Sequence, residues 1–155
     1  MLNTTLCYIK SGNKILMLHR TKKKQDPNEG KWIGIGGKFL ENESPEECML
    51  REVREETGIE LAHWSYRGIV TFVSDEWEGE YMHLFTAETD SECVIPCDEG
   101  ELCWIEEDEV LSLNLWEGDR VFLDLLKKGE PFFSLKLSYK GSKLEEAVLN
   151  GKIKV

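Results

Sequence analysis

The chain has 155 residues, 41% of them hydrophobic, and a formal net charge of −11 at pH 7. This length and composition are typical of one folded domain with a sizeable core, so we expect a single domain over residues 1–155 and not a disordered chain. The acidic balance argues against a nucleic-acid polymer as the main ligand, because phosphate contacts need a basic surface, but bound divalent cations can reverse the local charge and admit a small nucleotide.

The five cysteines occur without a secretion signal and without an apolar run long enough to cross a bilayer. An odd number of cysteines in this context predicts reduced thiols in a cytoplasmic protein that does not bind membranes. The spacing Cys93-x3-Cys97-x5-Cys103 lacks a C-x2-C pair and a nearby histidine. It therefore favours separate thiols over a zinc site.

Two β-rich runs begin the chain. Residues 4–10 and 14–19 flank a Ser-Gly-Asn turn, which predicts a β-hairpin. A basic stretch, HRTKKK, follows at residues 19–24. A run of lysines is usually a solvated loop, but these side chains could also meet phosphate groups. Glycine then alternates with bulky residues over 31–39, which marks a bend or a close backbone approach as well as plain strand packing.

The clearest single element is a helix predicted over residues 45–57. Ser44 is suited to the N-cap, Pro45 to the first helical position, and Glu47 completes an S-x-x-E capping box. Gly58 is suited to the left-handed conformation that ends a helix, which is a structural role.

Three glutamates share one face of this helix. They are Glu52, Glu55 and Glu56, at spacing i, i+3, i+4. Like charges at this spacing repel each other and destabilise an isolated helix, so something must compensate. A cluster of carboxylate oxygens is also what Mg²⁺ prefers. The residues alone leave two interpretations open, a solvated acidic face and a magnesium site.

Beyond this helix, the hydrophobic pattern predicts further strands and one more helix. The strands are expected at residues 64–74, 80–86, 102–105 and 132–139. A short helical piece is expected to begin at Glu106, and apolar pairs at i, i+4 predict a helix over residues 119–128. The tail, residues 142–155, fits a strand and a short helix equally. Strands interleaved with helices imply an α/β layered fold.

A specific pattern runs from Gly37 to Ile59. It reads G-x5-E-x7-R-E-U-x-E-E-x-G-U, and its residues are Gly37, Glu43, Arg51, Glu52, Val53, Glu55, Glu56, Gly58 and Ile59. This fixed spacing resembles the Nudix box. The chain is similar to Nudix hydrolases, and nearest to the MutT-like branch that hydrolyses oxidised purine nucleoside triphosphates. The resemblance implies a mixed β-sheet sandwiched between α-helices, with the box forming a loop, a helix and a loop.

The same resemblance implies a Mg²⁺ cofactor, with Mn²⁺ as an alternative, and gives the helix glutamates catalytic and metal-binding roles. Glu56 is implied as the principal ligand, with Glu52 and Glu55 beside it. The main-chain carbonyl of Gly37 is implied to join the metal shell. Glu99 lies near the place where relatives have a further acidic residue, although a lone exposed glutamate is equally consistent with no role. The general base stays unassigned among Glu52, Glu55 and Glu99.

Four other residues are given supporting roles. Arg51 is expected to orient a carboxylate through charge-assisted hydrogen bonds, with Glu43 as its structural partner. Lys23 occupies the position at which MutT-like relatives resembling this chain carry a lysine near the substrate. Lys38 is a second candidate for a phosphate contact.

Base recognition is expected near Trp116. The resemblance implies that Trp116 stacks on the base and that Asp119 bonds the base edge, with Phe72 as a further candidate for substrate contact. Relatives carry an acidic pair here, but Gly118 replaces one member, and Ile33 stands where the vertebrate-type enzymes have an asparagine. An aromatic face stacks on any base, so these departures leave the base open. Trp116 also fits a packing residue at a helix entry, and Asp119 fits an acid favoured by the helix dipole.

Three functions are compatible with these residues. The first is a Mg²⁺-dependent pyrophosphohydrolase that removes 8-oxo-dGTP or a related oxidised purine nucleotide from the nucleotide pool. The second is a Nudix hydrolase for another diphosphate linkage, such as a dinucleoside polyphosphate or a nucleotide sugar. The third is a nucleotide-binding module without catalysis, which would be expected to have lost carboxylates of the box. The expected partner is a small nucleotide, and a monomer and a homodimer both stay open.

Overall fold

The structure, a computed structural model, describes residues 1–22 and 26–155, and Lys23 lies outside the described residues. Its strands are β1 (Leu2–Ser11), β2 (Lys14–His19), β3 (Trp32–Ile33), β4 (His63–Ser74), β5 (Glu80–Glu88), β6 (Glu101–Glu106), β7 (Phe133–Lys140), β8 (Lys143–Leu149) and β9 (Ile153–Lys154). Its helices are α1 (Pro45–Thr57) and α2 (Glu117–Lys127), with a short 3-10 helix at Glu107–Ser112. Neither described α-helix has the length and apolar character needed to cross a membrane.

The described strands form one mixed sheet in the order β3-β2-β1-β5-β4-β7-β8-β9, and β6 also pairs with β2. β1 runs parallel to β5 and β4 runs parallel to β7, whereas the other pairs are antiparallel. The predicted N-terminal hairpin is confirmed, with Ser11 opposite Lys14 at its turn. β1 thus joins the half of the sheet that carries β2 and β6 to the half that carries β4 and β7.

The two helices cover opposite faces of the sheet. Successive side chains of a strand point to opposite faces, and β1 shows this at Cys7 and Tyr8. Cys7 belongs to a buried cluster with Met49 and Val53 of α1. Tyr8 belongs to a second cluster with Phe122 of α2. The prediction of a mixed sheet between helices is therefore confirmed.

The helix predicted over residues 45–57 is confirmed at both ends. Ser44 Oγ accepts from the Glu47 N–H at 3.1 Å, and Glu47 Oε1 accepts from the Ser44 N–H at 2.9 Å, which are the two bonds of a capping box. Gly58 ends the helix in the left-handed conformation, with a φ of 80°. These caps fix where α1 begins, and they therefore fix which of its faces carries the glutamates.

The start of α2 differs from the prediction, and the structure settles the conformation of the C-terminal tail. α2 begins at Glu117 and not at residue 119, so Trp116 stands directly before the helix. The tail that was left open forms β8 and β9. It takes the strand form because Ala147 and Leu149, two residues apart, both bury their side chains in the core on the α2 face.

Candidate active site

A cleft of about 660 Å³ is lined by residues from the glycine-rich segment, α1, the sheet and the start of α2. The predicted site residues that line it are Gly37, Lys38, Glu52, Phe72, Glu99, Trp116 and Asp119. Ile33 lines it as well. Glu55 and Glu56 are not part of the lining: the side chain of Glu55 is 58% exposed, whereas Glu56 is buried. The cleft therefore gathers most of the predicted site residues but leaves Glu55 at the surface.

Arg51 joins three carboxylates. Its Nε and Nη2 donate to Glu43 at 2.6 and 2.9 Å, a bidentate pair that holds the pKa of Glu43 below its usual range. Its Nη1 donates to Glu52 at 2.8 Å and to Glu55 at 3.1 Å. Its Nη2 also donates to the carbonyl of Lys38 at 3.1 Å. Arg51 thus offsets the repulsion between the glutamates of α1 and ties Glu52 to the loop before the helix.

Glu56 is the buried acid of the site. Only 9% of the residue is exposed, and its Oε2 has no hydrogen-bond partner among the described residues. The pKa of Glu56 is raised to about 9, mainly by burial and then by the hydrogen bond and the charge of Glu99. An unpaired buried carboxylate oxygen is costly. The side chain is therefore poised to take up a proton or a cation.

Arg20 is a site residue that the sequence reasoning missed. It is 8% exposed, and its Nη1 donates to Glu99 Oε2 at 2.7 Å. Its Nε and Nη2 both reach Asp26 Oδ2, at 2.8 and 2.7 Å. Arginine is better suited than lysine to a buried forked pair. The lone arginine in the basic stretch 19–24 was the available signal.

Glu99 lies on a turn that is held from several sides. The main-chain N–H of Lys22 donates to the Glu99 carbonyl at 3.2 Å, and Lys22 Nζ donates to the Cys97 carbonyl at 2.9 Å. A Cβ at Gly100 would lie 1.9 Å from the carbonyl oxygen of His19, so the turn packs directly on the end of β2. Glu99 is thus a positioned carboxylate and not a free surface side chain.

The carboxylates fit a magnesium ion chemically. Among residues 1–22 and 26–155, no group of three or more His, Cys, Asp or Glu side chains stands ready-made as a metal site. However, Glu52, Glu56 and Glu99 offer only oxygen donors, which Mg²⁺ prefers. The unpartnered buried oxygen of Glu56 is the donor most in need of a cation.

Gly37 lies directly against Glu52. A Cβ at this position would lie 2.5 Å from the carboxyl carbon of Glu52, so any larger residue here would displace the Glu52 carboxylate. The Gly37 carbonyl, expected in the metal shell, accepts the Thr5 N–H at 2.9 Å and the Cys48 thiol at 3.7 Å. In this structure the carbonyl is therefore already engaged by β1 and α1.

Trp116 forms a fixed wall of the cleft. Its Nε1 donates to Asn28 Oδ1 at 2.8 Å. Its ring meets Phe72 and Tyr139 edge-on, at centroid distances of 6.2 and 5.1 Å, and Lys31 Nζ lies 5.3 Å from its ring centroid. The residue is 8% exposed. Trp116 is thus a packing residue that also borders the cleft, so the two interpretations of it are compatible.

Asp119 is a buried acid on the same cleft. It is 7% exposed, and burial is the main reason that its pKa is raised to about 7. The charges of Lys31, Glu80 and Arg120 also act on it, and no hydrogen bond from the described residues contributes to the shift of its pKa. A helix N-terminal acid serving only the dipole would be expected to face solvent. Asp119 instead faces the cleft, where a ligand can satisfy it.

Proteins related to this chain match most of its length. The NUDIX domain family model matches residues 2–126. The uncharacterized Nudix hydrolase YvcI of Bacillus subtilis (strain 168) is 33% identical over 132 residues, which cover 81% of this chain and 79% of that protein. An oxidized purine nucleoside triphosphate hydrolase of Mus musculus is 30% identical over 114 residues, or 71% of each chain. CTP pyrophosphohydrolase of Escherichia coli (strain K12) is 29% identical over 126 residues, which cover 80% of this chain and 90% of that protein.

The fold has a close counterpart among solved structures. The MutT protein from Bacillus halodurans superposes with a TM-score of 0.86 at 24% sequence identity, covering 99% of this chain and 100% of that one. At this identity the likeness shows the fold. The domain match over most of the chain and the 33% identity to the Bacillus subtilis protein lead to the same result: this chain belongs to the Nudix hydrolase family.

Proposed function

We propose that this chain is a Mg²⁺-dependent nucleoside triphosphate pyrophosphohydrolase that converts 8-oxo-dGTP, or a related oxidised purine nucleotide, to the monophosphate and pyrophosphate. The observation that carries the proposal is one cleft lined both by the carboxylates Glu52 and Glu99 and by Phe72, Trp116 and Asp119. Such a cleft can take a phosphate chain and a base at once. The name of the mouse relative supports the oxidised purine, and the name of the E. coli relative supports pyrophosphate release.

The carboxylates would hold the metal, and Arg51 would keep Glu52 oriented through their 2.8 Å contact. Mg²⁺, when bound, neutralises phosphate charge and activates the attacking water. Lys38, which is exposed and lines the cleft, would meet the phosphate chain. Glu55 is disfavoured as the general base because its side chain is 58% exposed and lies outside the cleft lining, which leaves Glu52 and Glu99 for that role.

A substrate panel tests the proposal. Pyrophosphate release would be measured from 8-oxo-dGTP, 2-hydroxy-dATP, the normal dNTPs, CTP, ADP-ribose and a diadenosine polyphosphate, with and without Mg²⁺. We expect Mg²⁺-dependent release and a kcat/KM for an oxidised purine at least about tenfold above that for its normal counterpart. Equal kcat/KM for all triphosphates would contradict the sanitising role. A preference for ADP-ribose or the dinucleotide would place the activity on another diphosphate linkage.

Arg20 is predicted to act as a positioning residue. Arg20→Lys keeps the positive charge, but a lysine ammonium cannot reproduce the planar guanidinium group that donates hydrogen bonds to both Glu99 and Asp26. We expect kcat to fall about 10- to 100-fold, as is typical when a residue that orients a metal-binding carboxylate is changed, with a smaller effect on KM. Steady-state kinetics on the best substrate of the panel would measure this.

Arg54→Lys is the matched control, since Arg54 is 53% exposed and its single ion pair, with Glu60, is 3.9 Å long. Its kcat should equal that of the wild type. Asp26→Asn should also lower kcat, because it removes the second carboxylate that holds Arg20 in place beside Glu99. An Arg20→Lys variant with wild-type kcat would show that Arg20 does not position Glu99.

A further inference from the structure

Glu80 stands at a place in the cleft where an acid is unexpected. It is the first residue of β5 and lies opposite Leu2 of β1 and Phe72 of β4. Residues opposite each other on neighbouring strands carry their side chains on the same face. The side chain of Glu80 is therefore placed between Leu2 and Phe72. Glu80 lines the same cleft as Trp116 and Asp119.

The surroundings of Glu80 do little to neutralise it. Burial raises the pKa of its carboxyl group, and a hydrogen bond with the Thr4 side chain and the charge of Lys38 only partly oppose this. Within residues 1–22 and 26–155, no salt bridge to Glu80 is found. A partly buried acid without an ion-pair partner is costly to the fold. Such a residue is more readily explained by a ligand than by packing.

Glu80 and Asp119 line the same cleft. The charge of Glu80 helps to raise the pKa of Asp119, after burial and against the opposing effect of Lys31. No hydrogen bond from the described residues contributes to the shift of the Asp119 pKa. Two carboxyl groups with free hydrogen-bonding capacity thus face one cleft whose walls include Phe72 and Trp116.

The backbone explains why the second acid comes from β5 and not from α2. A Cβ at Gly118 would lie 2.5 Å from Leu137 Cδ1 and 2.6 Å from Tyr139 Oη. The Gly118 N–H also donates to Tyr139 Oη at 2.7 Å. No side chain fits beside Asp119 at position 118 without displacing these neighbours. An acid at that position would have to displace the side chains of Leu137 and Tyr139, whereas Glu80 reaches the cleft from the sheet.

We propose that Glu80 is the second acidic group of the base pocket and that, with Asp119, it selects nucleobases that carry an exocyclic amino group. A carboxyl oxygen accepts the N–H of such a group, and a base without it leaves the buried acid unpaired. The inference rests on the proposed function, because it assigns the base to the part of the cleft beside Trp116. It goes further by naming what the base must carry.

Equilibrium binding of three products tests this without hydrolysis. dGMP differs from dIMP only by its 2-amino group, and dAMP differs from dIMP by an amino group in place of the 6-oxo group. Dissociation constants would be measured by titration calorimetry in the presence of Mg²⁺. We expect the wild type to bind dGMP or dAMP at least about tenfold more tightly than dIMP. In Glu80→Leu this preference should fall to within about threefold.

Two further variants keep the test decisive. Glu80→Gln retains the shape and one acceptor oxygen, so it should fold like the wild type and keep only part of the preference. Glu76→Leu makes the same change at an exposed acid of the turn before β5 and should keep all of it. Equal binding of the three nucleotides by the wild type, or an unchanged preference in Glu80→Leu, would overturn the role of Glu80. A wild type that hydrolyses no triphosphate would overturn the proposed function and leave this binding test interpretable.

Discussion

The Glu56→Gln variant is expected to lose pyrophosphohydrolase activity by on the order of a thousandfold, because it removes a charged oxygen donor from the proposed metal site. The same variant is expected to be more stable than the wild type in metal-free buffer. The pKa of Glu56 is raised from 4.5 to about 9, so the fold disfavours the ionised carboxylate. A glutamine resembles the protonated acid at every pH and avoids this penalty.

The sign of the pH dependence follows from that shift. The wild type keeps the full contribution of protonated Glu56 below pH 4.5 and loses it progressively as the pH rises towards about 9. The stability advantage of Glu56→Gln should therefore be small near pH 5 and reach about 2 kcal/mol or more near pH 8. Urea unfolding in EDTA at both pH values would measure it.

Adding Mg²⁺ should reverse the order of stability of the wild type and Glu56→Gln. Mg²⁺ should raise the Tm of the wild type, because it binds only the folded state, and should have less effect on Glu56→Gln. Glu60→Gln, at a side chain that is 76% exposed, is the control and should match the wild type in all three measurements. Full activity in Glu56→Gln, or a stability difference that does not change with pH, would contradict the assignment.

Arg51→Ala is expected to lower the free energy of unfolding by on the order of 3 kcal/mol, because it leaves partly buried carboxylates without their cation. The side chains of Arg51 and Glu43 are only 15% and 14% exposed, and the pair is bidentate. We also expect kcat/KM to fall about 10- to 100-fold, since Glu52 loses the group that orients it. Urea unfolding midpoints and steady-state kinetics would measure the two effects.

Arg51→Lys separates charge from geometry. It keeps a cation but cannot donate to Glu43 and Glu52 through a fixed fork, so its stability should lie between those of Arg51→Ala and the wild type. Arg54→Ala is the matched control on the same helix and should cost no more than about 0.5 kcal/mol. The interpretation fails if Arg51→Ala and Arg54→Ala are equally stable.

The free energy of unfolding at acid pH gives an independent test of the pair between Arg51 and Glu43. The pKa of Glu43 is lowered, chiefly by its hydrogen bond from Arg51. A lowered pKa stabilises the fold above the usual range of a glutamate, and the contribution is lost as the pH falls through the lowered value. The difference between the wild type and Arg51→Ala should therefore shrink in acid.

Local features were readable from the sequence because their causes lie within a few residues. The capping box at Ser44 and the left-handed stop at Gly58 set the bounds of α1, and helical periodicity placed its glutamates together. The interleaving of strand and helix patterns predicted α/β layers, and the resemblance to Nudix hydrolases added the mixed sheet between helices. The box residues predicted the family, which the domain match confirms.

The tertiary structure alone decided which distant residues share the site. Arg20 contacts Glu99, 79 positions away in the chain, because β2 pairs with β6. The spacing of nearby residues does not predict such a pairing. Glu80 faces the same cleft as Asp119 because β5 lies between β1 and β4. The sequence by itself determined the bounds of α1 and the shared face of its glutamates, since these depend on local geometry. The order of strands in the sheet, which depends on long-range packing, decided which residues line the cleft.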